Sequence, residues 1–236
     1  PPRPPMLHAL LAHLRRLYQA AALAAFVGSL SLVLASADGA RMEEIARARY
    51  GEAVADAVRD WRALIFDPTI DDERERLTRV NTFFNRRLRF DDDIKVWKEA
   101  DYWATPLESI ALGAGDCEDF AIAKYASLLI SGISSERLRL IYVRARIGGP
   151  QSSVSQAHMV LGYYPTPDAE PLILDNLVSE IRPASRRPDL FPIFSFTSEG
   201  LWVQGASTSS ADPTARLSRW RSVLQRMRAE GLDLQQ

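Results

Sequence analysis

Apolar residues recur every three or four positions through the first half of the chain and alternate through much of the second. A chain with that switch lays its helices against a sheet built from later strands, which is the α+β class. Val54, Val58, Trp61 and Ile65 form one helical stripe in a helical region over 38–66, with Gly51 as a break before the stripe and Asp67-Pro68 closing it. Leu77, Val80, Phe84 and Leu88 predict a second helix over 71–89, with acids early and arginines late, as the helix dipole prefers. Residues 91–105 read as irregular, and Pro106 opens a short helix ending at Gly113. Ile122, Ala126, Leu129 and Ile130 predict a helix that starts within 115–119 and stops at Gly132. Then the period drops to two. Ile141, Val143, Ala145 and Ile147 point one way and Tyr142, Arg144 and Arg146 the other, a strand over 139–147. Strands over 157–164 and 172–175 follow, with further segments at 194–196 and 201–203, and the expectation is a helical N-terminal half packed on an antiparallel sheet.

The chain divides into three parts. Residues 1–37 carry Arg15 and Arg16, an uncharged run from Leu17 to Ala37 and an Ala35-Ser36-Ala37 end, the pattern of a cleaved export signal. An uncleaved anchor is the alternative, since the run nearly reaches spanning length. Residues 38–205 form the expected catalytic domain, and 206–236 a Ser/Gly/Ala linker with a terminal helix over 217–230. The 29 basic and 30 acidic residues leave no basic patch, so no nucleic acid is expected as partner. Without residues 1–37 the chain also loses His8 and His13, leaving one cysteine, Cys117, and one histidine, His158. A lone cysteine in an exported protein makes no internal disulfide, so it is either an inert buried thiol or a reactive one.

Cys117 opens the expected helix inside Gly115-Asp116-Cys117-Glu118-Asp119. The positive end of the dipole there favours thiolate. Cysteine catalysis needs a base beside the thiol and a group that orients the base. His158 is the one base available, and Asp175 lies seventeen residues on, at the end of the next strand. If those strands pair as a hairpin, the two meet at one end of the sheet, and packing the Cys117 helix there completes a Cys117, His158, Asp175 triad. The backbone N–H of Cys117 and the Trp103 indole are the expected oxyanion donors.

Four motifs in this order, Asp-Tyr-Trp-Ala-Thr-Pro-Leu-Glu at 101–108, Gly-Asp-Cys-Glu-Asp-Phe-Ala at 115–121, Gln-Ala-His-Met-Val-Leu at 156–161 and Leu-Asp-Asn-Leu at 174–177, resemble the bacterial transglutaminase-like cysteine proteinases. The resemblance covers roughly residues 40–205. It implies a transglutaminase/papain-like cysteine protease fold and a periplasmic endopeptidase that depends on calcium. It further implies that the substrate is the N-terminal region of a large surface adhesin, whose release controls biofilm attachment. The implied regulator is an inner-membrane cyclic di-GMP receptor that sequesters the protease through its periplasmic domain.

Calcium also has support in the residues. Asp116, Glu118 and Asp119 crowd the thiol with charge that opposes thiolate formation, and carboxylate oxygens suit a hard cation that would cancel it. Calcium takes six to eight oxygens, so Asp101 and Tyr102 are added as further candidate ligands. The same acids would also suit simple helix capping, and Asp91-Asp92-Asp93 reads as a solvated turn. Two rival functions remain at this stage: acyl transfer to an amine through the same thioester, and a calcium-binding module without catalysis.

Overall fold

The break at Gly51 is real: its φ of 91° separates helical residues 42–50 from helix α1 (Glu52–Ile65). The computed structural model describes residues 40–203, 212–213, 217–232 and 234. The segment expected as an export signal and most of the expected linker lie outside these residues. From Met42 onward the chain packs as one unit.

Helix α1 buries Ala55, Ala57, Val58, Trp61 and Ile65 on one face. Helix α2 (Glu73–Arg87) starts where the Asp72 side chain accepts from the N–H groups of Arg74 and Glu75. It buries Leu77, Val80 and Phe84. A two-residue strand β1 (Arg89–Phe90) follows, then a single turn α3 (Asp93–Val96) in the region expected to be irregular. Helix α4 (Pro106–Leu112) has the Thr105/Glu108 capping box, proline in its first turn, and Gly113 at φ 61° as the left-handed stop. Strand β2 (Ala114–Gly115) then pairs in parallel with β1, Phe90 opposite Gly115.

Helix α5 (Cys117–Ile130) departs from the expected amphipathic stripe. Every residue from Asp119 to Leu128 is buried. A helix buried all round must be enclosed, not merely laid on a surface. It packs against α1, α2, α4 and the sheet, and the Trp61 indole reaches across to donate to Ser127 Oγ at 2.8 Å.

The sheet has six strands in the order β6-β5-β4-β3-β7-β8, and every pairing is antiparallel. These are β3 (Leu138–Arg146), β4 (Ser155–Tyr163), β5 (Leu172–Leu174), β6 (Arg182–Pro183), β7 (Leu190–Phe196) and β8 (Leu201–Val203). Leu138, Leu140, Met159, Leu161, Tyr163 and Leu174 join the helical core. Ile141, Val143, Ala145, Val160 and Ile173 form a second, smaller cluster. Arg144 and Arg146 lie over the Phe191 ring, and Arg139 stands between Tyr164 and Trp202, so these arginines rest on aromatic faces.

The terminal helix α6 (Ser218–Ala229) belongs to the same core. Trp220 is fully buried, meets Tyr125 and Phe196 edge-on at 5.7 and 5.4 Å, and donates to the Thr197 carbonyl at 2.9 Å. Removing a buried indole leaves a large void. Trp220→Ala is expected to lower unfolding free energy by about 3–5 kcal/mol, read from the denaturant midpoint.

Candidate active site

The functional side chains come from three places: the N-terminus of α5, the middle of the sheet, and residues 91–104. Cys117 is the first residue of α5 and is half-buried. His158 sits within β4, not at its start as the sequence suggested, and Asp175 directly follows β5. The β4–β5 register pairs Leu161 with Leu174. That register brings the two side chains together: His158 Nε2 lies 2.8 Å from Asp175 Oδ1, with both residues almost fully buried.

Asp175 is held on every side. Its Oδ1 also accepts from the Leu177 N–H at 3.0 Å, and its Oδ2 takes Arg187 Nη2 at 2.7 Å. Its carbonyl accepts from Asn85 of α2. Although burial alone would raise it, the bonds from His158, Leu177 and Arg187 bring its pKa down to about 2. Arg187 is itself buried and anchored by Asp189 at 2.7 Å. Sequence reading missed it, since it stands in an irregular stretch with no motif around it. Lys124, on α5, is also buried, and burial pushes its pKa down to about 7 while Asp175 opposes that shift. Its signal was visible as a lone lysine in an otherwise apolar run.

The backbone N–H of Met159, the residue after His158, tempers the upward shift of the Cys117 thiol. The thiol itself donates to Glu118 Oε2 at 2.9 Å. Among the described residues no hydrogen bond joins the sulfur to the His158 ring. Burial, and after it the Glu118 charge, pushes the thiol pKa far up.

The acids form one cluster. Oxygens of Asp93, Asp116 and Asp119 lie within 4.8 Å of one another, and so do those of Asp93, Asp101 and Glu118. Asp93 corrects the sequence reading, which took it for part of a solvated turn: it is buried and central to both groups. The β1–β2 ladder puts it there by running the two acidic segments side by side. Capping does not explain the cluster, because Asp116 stands at the N-cap of α5 without a side-chain capping bond. Gly115 allows Asp119 its approach: a Cβ there would meet Asp119 Oδ2 at 2.5 Å.

Two of the expected site side chains have other partners. The Trp103 indole N–H donates to Asp101 Oδ1 at 3.1 Å and its ring stacks on Phe196, so it is not a free oxyanion donor. The Tyr102 phenol donates to Glu108 Oε1 at 3.0 Å and accepts from Arg226 at 2.7 Å, so its hydroxyl is engaged with these two side chains. Asp101 stays in the cluster while pairing with Arg219 at 2.9 Å.

The cluster fits a hard divalent cation. Asp93 Oδ1, Asp116 Oδ1 and Asp119 Oδ2 are buried with no hydrogen-bond partner, and the five carboxylates give an all-oxygen donor set. Burial and then neighbouring charge raise Asp93 to about 6 and Asp116 to about 10, and burial raises Asp119 strongly. Carboxylates so raised remain protonated in the fold at a pH where the unfolded chain has released its protons. They therefore remove stability as pH climbs. In protein stripped of divalent ions, the melting temperature is expected to fall as pH rises above about 6, where carboxylates held low, such as Asp175, have already ionised in both states and Asp116 has not. A flat profile would contradict the charge crowding.

A thiol on a helix N-terminus beside a sheet that carries a buried imidazole–carboxylate pair is the arrangement of the papain-like thiol enzymes. A family model described as bacterial transglutaminase-like cysteine proteinase BTLCP matches residues 59–207. The chain belongs to that family and is a cysteine protease with a transglutaminase-like fold. Among solved structures it is similar to Legionella pneumophila LapG. The EGTA-treated form is 39% identical, covering 80% of this chain and 97% of that one, at a TM-score of 0.70. The calcium-bound form is 38% identical, covering 80% and 98%, at a TM-score of 0.69. A comparison with curated protein sequences gave no match.

Proposed function

We propose that the protein is an exported, calcium-dependent cysteine endopeptidase that cuts the N-terminal region of a large cell-surface adhesin. The observation that carries the chemistry is the buried His158–Asp175 pair, with His158 on a strand packed against the Cys117 helix. His158 takes the thiol proton as Cys117 attacks the scissile carbonyl and passes it to the leaving amine, which leaves a thioester; it then takes a proton from the water that attacks the thioester and returns it to the departing sulfur as the acid is released. Asp175 holds Nε2, which leaves Nδ1 for the sulfur and the substrate. The Cys117 backbone N–H, free of an intrahelical partner at the helix start, faces the developing oxyanion.

Asp93, Asp101, Asp116, Glu118 and Asp119 would hold calcium, which supplies positive charge beside the thiol. Glu118 serves as thiol acceptor and as cluster carboxylate at once. Engaging it in the cluster withdraws from the thiol the charge that opposes thiolate formation. The calcium-bound form of the similar LapG supports this reading. Export to the periplasm rests on the pattern of residues 1–37. No helix among the described residues is long and apolar enough to cross a membrane. Sequestration by the periplasmic domain of a membrane cyclic di-GMP receptor rests on the family resemblance.

Cys117→Ala is expected to abolish cleavage of an adhesin N-terminal fragment on a gel while the melting curve stays native. Retained cleavage refutes the thioester route. An added amine donor distinguishes acyl transfer, since crosslinked product without hydrolysis would make the protein a transferase. Chelation is expected to stop cleavage, and calcium to restore it better than magnesium, whose octahedral demand suits five converging carboxylates poorly. Activity that survives thorough chelation removes calcium from the mechanism.

A further inference from the structure

Helix α6 begins eleven residues past the stretch that defines the family, and neither the triad nor the acid cluster takes a residue from it. Its contacts nonetheless converge on the residues that position the acids. Two of the cluster carboxylates are each oriented by a backbone N–H from residues 101–104: Tyr102 N donates to Asp93 Oδ2, and Ala104 N donates to Asp119 Oδ1 at 2.7 Å. Each bond leaves the other oxygen, Asp93 Oδ1 and Asp119 Oδ2, buried and unpartnered within the cluster. The placement of this short segment therefore sets where the two orphan oxygens point.

The segment is gripped from α6. One guanidinium, that of Arg226, bonds the Trp103 carbonyl, the Tyr102 hydroxyl and Glu108 Oε2 at once, and lies over the Tyr102 ring at 4.5 Å. Arg219, two turns earlier, bonds the Asp101 carbonyl at 3.0 Å and the Asp101 carboxylate at 2.9 Å. Trp220 between them pins the helix into the core. A planar fork that spans three acceptors fixes a backbone segment in a way a single ammonium does not.

We infer that α6 is the outer brace of the cation site, with Arg226 as a positioning residue that sets the affinity of the acid cluster for calcium through residues 101–104. The inference rests on the calcium reading above. Removing a group that orients metal ligands typically weakens affinity by about 10–100-fold.

The test is calorimetric titration of calcium into the metal-stripped full-length chain, with melting curves in chelator and in calcium. For Arg226→Met the expected result is a calcium Kd weaker by about tenfold or more, with a smaller calcium-induced rise in melting temperature than in the wild type. A purely structural role would lower both melting curves equally and leave the Kd unchanged, and that result overturns the inference. If Arg226→Met does not fold, Arg226→Lys keeps the charge beside Glu108 but loses the fork. Its Kd is expected to weaken by a smaller factor, and a wild-type Kd there also overturns the inference. A wild-type chain that takes up no calcium removes the calcium reading itself. A wild type that binds, with an Arg226→Met variant that binds equally well, removes only the role of α6.

Discussion

Helix α5 is buried around its whole circumference, and the rest of the unit is arranged to make that possible. Helices α1, α2 and α4 and the sheet pack against it, and Trp220 from α6 closes over Tyr125. A helix so enclosed cannot shift without opening the core, because interiors are packed at crystal-like density. Rigidity of that kind suits a nucleophile on the first turn, where misplacement by about an ångström is costly to catalysis. The same enclosure creates the electrostatic problem of the site, since it draws Asp119 and Lys124 out of water along with the apolar residues.

Two groups of charge at the site resolve burial in opposite ways. Asp175 is surrounded by His158, Arg187, the Leu177 N–H and the nearby Lys124, and is held low, as an anion. Asp93, Asp116 and Asp119 have mainly other carboxylates for neighbours, and all three are raised. A protein that fills every hydrogen-bonding need of one carboxylate and leaves three others with a bare buried oxygen has a positive partner in view for the second group.

The long helices and the longer strands were legible because each has a period, and Pro106, Gly113 and Gly132 mark ends close to where they fall. The His158–Asp175 pair was legible because a short turn between two strands leaves few registers. Asp93 was not, because a ladder of two residues brings it to Asp116, and two residues carry no period. The side-chain partners of Trp103 and Tyr102 were hidden for a related reason. Asp101 claims the indole from two positions away, while the partner of the phenol, Arg226, lies 124 residues on, on a helix with no motif to recommend it. Arg187 was hidden in the same way, since only the folded sheet shows that it reaches Asp175.

Glu118 ties the two halves of the site together. Its Oε2 accepts a hydrogen bond from the thiol, and it shares a cluster with Asp93 and Asp101. A carboxylate directly bonded to a thiol stabilises the protonated form, so this arrangement by itself describes a resting nucleophile. The route out of that rest does not require α5 to move, which its burial forbids. It requires only that Glu118 find a better partner than sulfur, and the unpartnered oxygens beside it point to a cation as that partner. On that reading the thiol is tied to residues 91–104 through Glu118, which shares its cluster with Asp93 and Asp101.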